Sequence, residues 1–297
     1  MFRAINDLFT LADNAEVTIE INPDDVTPHF VETLSQTPVN RISMGVQTFS
    51  DELLLFLNRR HTSAQALQAV QLIRDAGYNN ISLDLIYGLP GQTLWDWESD
   101  VRQLLALDVP HLSAYALSYE EGTPLHNLLL EGKVSEVSDE LSWQMYEYLM
   151  DETAAAGFEH YEISNFAKPG KCAKHNCSYW DGSPYLGFGP GAHSYDGNNV
   201  RRSNNTSLSD YVHATSDVLH QIEVLSPQER YDEYVMIHLR TASGLSLAHL
   251  TSEQKAYCLQ MAEPHIRCGN LLKEGDRLRL SRKGIFVSNI VISDLMS

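Results

Sequence analysis

Basic residues are scarce in this chain. Its 297 residues include 21 lysines and arginines against 39 aspartates and glutamates, a formal net charge of −18. A surface that acidic does not gather a nucleic-acid backbone or an anionic membrane, so neither is expected as a partner. The shortage is uneven: from Leu225 onward nine basic residues meet eight acidic ones, which places the start of a separate unit near Ser226-Pro227. Cysteine is also scarce. Four thiols in a chain this long are not a disulfide scaffold, and a reducing cytoplasm is the simplest setting. No apolar run approaches the ~20 residues that cross a bilayer, and no signal peptide opens the chain. No repeat of fixed period and no low-complexity segment is present. What remains, 43% hydrophobic and 20% charged, is an ordinary composition for a globular enzyme.

Four strand-like runs stand out: Val17–Ile21, Arg41–Gln47, Ile81–Gly88 and His111–Tyr119. Helix signals separate them. Thr27-Pro28 reads as a cap with proline in the first turn. Thr62 or Ser63 caps a helix with Ala66, Leu67, Val70 and Ile73 on one side, closed by Gly77. Thr93 caps another, with Trp97, Val101 and Leu104 inward, and Ser138 opens a fourth that ends at Gly157. Strand alternating with helix predicts parallel strands joined by right-handed crossovers, an α/β fold. Parallel strands are covered on both faces and should be almost wholly apolar, yet each run carries a polar residue toward its C-terminal end: Glu20, Gln47, Asp84 and Ser118. Active sites of α/β folds lie at that end. A single polar residue there is ordinary surfacing; four in consecutive strands point to a ligand rim.

After Gly157 the pattern turns irregular and aromatic, with Gly189-Pro190-Gly191 as a turn. Helical patterns then cover 229–239 and 252–268, followed by a hairpin turning at Glu274-Gly275-Asp276 and a last helix. This tail resembles a winged-helix unit, and its near-neutral charge favours packing or partner docking over DNA binding. In the run CAKHNCSYW, Cys172, His175 and Cys177 offer three metal-binding side chains. A structural zinc takes four ligands, so no complete metal site is read here, and the bland reading is a loop with two incidental cysteines. At the other end, Phe2, Ile5, Leu8 and Phe9 lie at helical spacing with no capping residue ahead of them.

The stretches EINPDD, RISMGVQTF, LNRRH, LDLIYGLPGQT, HNCSYW and GFGPGAHSY together resemble the HemN/HemW branch of the radical S-adenosylmethionine (SAM) superfamily, and within it the HemW family of haem chaperones. The resemblance is strong from Glu16 to about Tyr195 and looser in the tail. It implies a partial (β/α) barrel missing its first strands over residues 1–157. Remaining barrel elements and haem-associated loops follow over 158–225, and a HemN-like helical, winged unit over 226–297. It implies a SAM site formed by Glu20, Gln47, Arg59 and Asp84. His193 falls where the family has a further residue near SAM; a histidine satisfied by a loop carbonyl is the other reading. His175 is implied as a haem contact, with Tyr179 and Trp180 offering flat surface. The family's [4Fe–4S] cluster is bound by a cysteine triplet near the N-terminus, and this chain has no cysteine before Cys172. An N-terminally shortened family member is therefore expected. It would carry haem to an unidentified acceptor protein, lack radical chemistry on its own, and have no assigned catalytic residue. The alternatives are an oxygen-independent coproporphyrinogen III oxidase and a binding protein completed by a partner.

Overall fold

The computed structural model describes residues 2–213 and 220–297. Two compact units divide the chain: Met1–His160 with Ser164–Cys172, and Tyr161–Ile163 with Ala173–Ser297.

The first unit opens with helix α1 (Phe2–Leu8) and then alternates strand and helix. Strands β1 (Thr18–Ile21), β2 (Arg41–Gln47), β3 (Ile81–Tyr87) and β4 (His111–Ala116) lie side by side, all parallel. Between them run α2 (Pro28–Leu34), α3 (Asp51–Phe56), α4 (Ser63–Asp75) and α5 (Leu94–Ala106). The helix starts are where the sequence puts them, because side chains satisfy backbone N–H groups that have no intrahelical partner. Thr27 accepts from Phe30 N–H. Thr62 and Gln65 cap α4 reciprocally, as Thr93 and Asp96 cap α5. Gly77 ends the α4 segment at φ +92°, a conformation that suits a residue without Cβ.

The period-2 pattern of the strands decides what faces where. Ile42, Met44 and Val46 of β2 and Leu83 and Leu85 of β3 are fully buried. The helices add Ala66, Val70 and Ile73 from α4 and Trp97, Val101 and Leu104 from α5. Two further helices follow, α6 (Pro124–Leu130) and α7 (Asp139–Ala155). Trp97 Nε1 donates to the Met145 carbonyl of α7 at 2.7 Å, so its one polar atom is satisfied inside the core.

Strand β4 stops at Ala116, earlier than its sequence run suggests. Ser118 therefore falls in an exposed loop, bonded to Glu120, and does not join the rim with Glu20, Gln47 and Asp84. The sheet continues through β5 (Glu159–Glu162) and β6 (Asn165–Ala167) in the order β1-β2-β3-β4-β6-β5, with β6 antiparallel to β4.

In the second unit the run expected as a loop, Lys174–Trp180, is a short helix, α8. Strands β7 (His193–Tyr195), β8 (Val200–Asn204) and β9 (His220–Val224) form an antiparallel sheet of their own, with helix α9 (Leu208–His213) between β8 and β9. The tail has α10 (Pro227–Leu239), β10 (Leu245–Ser246), α11 (Ser252–Arg267), and the hairpin β11 (Leu271–Glu274) and β12 (Arg277–Leu280) turning at Gly275. Two helices end it, α12 (Arg282–Phe286) and α13 (Ser288–Leu295), where one was expected. Val235, Leu245, Cys258, Leu278, Val291 and Leu295 form its core. Among the described residues no helix is long and apolar enough to cross a membrane.

Candidate functional site

The C-terminal ends of β1, β2 and β3 surround a cavity of about 710 Å³. Glu20 of β1, Gln47 of β2 and Asp84 of β3 all line it, with Asn22, Ser43 and Gly45. The parallel register explains the meeting: Glu20 lies beside Ser43, and Gly45 beside Asp84. Ser43, Gly45 and Gln47 are the β2 residues that alternate with buried Ile42, Met44 and Val46, so one face of the strand makes core and the other makes cavity.

Asp84 is the most perturbed of these groups. Burial pushes its carboxyl up from 3.8 to about 6, and the Glu20 charge adds to that; the hydroxyls of Ser113 and Ser43 and the Arg41 guanidinium pull the other way. Its Oδ1 is buried without a hydrogen-bond partner. An orphaned acceptor costs about 1–3 kcal/mol, and one that lines a cavity is placed to take a donor from a ligand. Glu20, by contrast, is exposed.

Arg59 stands behind the cavity wall. Its Nη2 donates to Asn22 Oδ1 at 2.6 Å and to the Gly45 carbonyl at 3.0 Å. That spends one guanidinium nitrogen and fixes the group. The next residues hold the same loop: Arg60 pairs with Asp24 at 2.7 Å and with Asp25 at 3.4 Å. The EINPDD and LNRRH stretches are thus two halves of one structure. Gly45 completes the floor. A Cβ there would come within 2.7 Å of Gln47 Nε2 and 3.3 Å of Arg59 Nη2, so the absent side chain makes room for both.

The other two expected residues lie in the second unit. His193 is exposed on β7 and lines a separate pocket of about 270 Å³ with Ser203, Asn204 and His220. His175 is exposed on α8, edge-on to Tyr179 with ring centroids 4.9 Å apart. Tyr179 meets Tyr185 at 4.8 Å, and Tyr185 meets Tyr195 at 6.1 Å. Among the described residues, no three His, Cys, Asp or Glu side chains converge in a way that could hold a metal ion.

The sequence reading missed Asn22, Ser43, Gly45 and Ser113. Gly45 and Ser43 had a usable signal: both fall on the polar phase of β2. Ser113 sits one strand over from Asp84, and only the register reveals it.

The residues lining the cavity fit the polar groups of SAM: two carboxylates and an amide, with an unsatisfied buried oxygen among them, and an arginine fixed behind the wall. An iron–sulfur cluster does not fit in the same way. Such clusters are held by several cysteine thiolates, and the unit containing this cavity has a single cysteine, Cys172.

Comparison with known proteins identifies the family. The radical SAM superfamily model matches residues 2–104, and the HemN C-terminal domain model matches residues 225–287. The heme chaperone HemW of Lactococcus lactis is 35% identical, with all of this chain aligned to 79% of that protein. The heme chaperone HemW of Mycobacterium tuberculosis is 34% identical over 98% of this chain and 74% of its own length. For that of Bacillus subtilis the figures are 37%, 79% and 62%. Among solved structures, coproporphyrinogen III oxidase (HemN) from Escherichia coli superposes with a TM-score of 0.82. It covers 99% of this chain and 73% of that one at 19% identity, a likeness of fold. With heme chaperones HemW aligned along nearly the whole sequence and the radical SAM model matched over its first third, the chain belongs to the HemW family of the radical SAM superfamily.

Proposed function

We propose that this chain binds S-adenosylmethionine in the cavity at the ends of β1–β3, and that, like relatives named heme chaperones, it binds haem and passes it to an acceptor protein. The single observation that carries the SAM reading is the convergence of Glu20, Gln47 and Asp84, from three strands, on one cavity. Each residue has work suited to its chemistry. Glu20 can accept from ribose hydroxyls. The buried Asp84 Oδ1 takes a hydroxyl or ammonium donor. Arg59 keeps guanidinium N–H groups beyond Nη2 for a carboxylate. Gln47 offers both an acceptor and a donor.

A reduced iron–sulfur cluster beside SAM would supply radical chemistry, but among the described residues the four thiols do not assemble a site that could hold one. For haem, the exposed His175 imidazole is a sound axial ligand. The tyrosines beside it, Tyr179 being 40% exposed, give a porphyrin face something flat to lie against. The HemN likeness carries fold alone, so coproporphyrinogen oxidation is not the reading preferred here.

Two titrations test the proposal. Calorimetry with SAM should show saturable binding by the wild type and none after Glu20→Ala with Asp84→Ala; absence of wild-type binding would end the SAM reading. Haem titration followed at the Soret band should show weaker binding by His175→Ala, and equal affinity would remove His175 from the site.

A further inference from the structure

Gln47 has a φ of 71°, in the left-handed region that a residue bearing Cβ seldom occupies. Thr48 N–H donates to the Val46 carbonyl at 3.0 Å, closing a three-residue turn with Gln47 at its centre. A γ-turn with positive φ is rare and strained. Strain of this kind persists only where the surroundings over-determine it.

Two buried side chains provide that constraint, one on each side of Gln47. His61 is 2% exposed, and its Nε2 lies 3.1 Å from the Val46 carbonyl. A carbonyl only accepts, so Nε2 carries the proton, and burial lowers the imidazole pKa. Asp100, also 2% exposed, sits on the buried side of α5. One of its oxygens accepts from the Thr48 hydroxyl at 2.7 Å and the other from Phe49 N–H at 2.8 Å. Neither His61 nor Asp100 lines the cavity.

A carboxylate on the inward side of a helix is costly. Here both of its oxygens are spent on the two residues that follow Gln47. The peptide before Gln47 is held by an imidazole from the LNRRH stretch. The bulge between Gly45 and Gln47 in the β2–β3 register marks where the chain leaves the ladder to make this turn.

We infer that His61 and Asp100 are positioning residues: together they clamp the turn on both sides and hold the Gln47 amide over Gly45, at the cavity. The functional consequence rests on the SAM reading; the clamp itself rests on the backbone.

Three variants test it: Asp100→Asn, Thr48→Val, and Thr48→Ser as the conservative control. SAM affinity is measured by calorimetry at about 10 °C, where circular dichroism can verify that each variant is folded. The sign of the Gln47 φ is read from backbone chemical shifts of selectively labelled protein. Thr48→Ser keeps the hydroxyl and should bind SAM within about twofold of wild type, with Gln47 still at positive φ. Asp100→Asn and Thr48→Val should bind about tenfold more weakly or worse, with Gln47 relaxed to negative φ in a folded protein. The inference is overturned if both lose thermal stability yet keep positive φ and wild-type affinity, since the clamp would then be packing alone. Should the wild type itself fail to bind SAM, the cavity reading falls, and the Gln47 φ in the variants still decides the clamp.

Discussion

Asp84→Asn keeps the shape of a cavity side chain and removes its charge, and the structure fixes what that should do to stability. Folding raises the Asp84 pKa from 3.8 to about 6, roughly two units, or about 3 kcal/mol of cost to the charged form at 1.36 kcal/mol per unit. For an acid whose pKa is raised, the folded state holds the proton more tightly than the unfolded one. The cost is therefore complete above about pH 6, fades as the pH falls through 6, and is gone below the unfolded value. Between about pH 7.5 and pH 5 this group alone should return about 1.4 kcal/mol to the wild type. The variant has nothing to titrate there. Asp100, also raised to about 6 by burial, is common to both proteins and cancels. Urea melts at the two pH values should find the variant about 1–3 kcal/mol more stable than wild type at the higher pH, with the gap narrowing by about 1.4 kcal/mol at the lower. The same variant should lose SAM binding. A wild type that is the more stable protein at pH 7.5, or a gap indifferent to pH, would refute the reasoning.

Three more predictions concern separate parts of the molecule. Gly45→Ala displaces the Gln47 amide, the flexible end of a side chain, so its melting temperature should stay within a few degrees of wild type while calorimetry shows SAM affinity falling by about tenfold or more. Trp97→Ala removes a fully buried indole and its bond to Met145, and denaturant titration should show a loss of about 3–5 kcal/mol. Tyr231→Phe removes the 2.9 Å bond to the Leu295 carbonyl inside the tail core. Chemical denaturation should register about 1–3 kcal/mol, with SAM binding untouched.

The four parallel strands and the helix caps were legible because each is a local signal. β-branched and other apolar residues recur at alternate positions through 41–47 and dominate 81–87, and Thr27, Thr62, Thr93 and Ser138 cap helices through bonds spanning three residues. The cavity residues were legible because polar side chains break otherwise apolar runs, and the family resemblance named the same positions. Ser118 shows the limit of that argument: polarity placed it on the rim, but β4 had already ended, and Ser113 was the β4 residue facing Asp84. Helix α8 went unread because seven residues with no side-chain cap at Ala173 are too short for a period to emerge. His61 and Asp100 went unread for a different reason. Their meaning lies in bonds 15 and 51 or more residues away along the chain, which spacing does not encode.

The reciprocal caps on α4 and α5 have a consequence for how the site tolerates length changes. A helix end that can fray takes up slack when a neighbouring connection is shortened; one stapled by Thr62 and Gln65 offers no spare turn. Removing one residue between Asn58 and Thr62 would leave the helix start where it is and drag the arginine off its two oxygen acceptors. The few residues linking α3 to α4 thus behave as a ruler of fixed length, and natural insertions or deletions in this family should fall elsewhere.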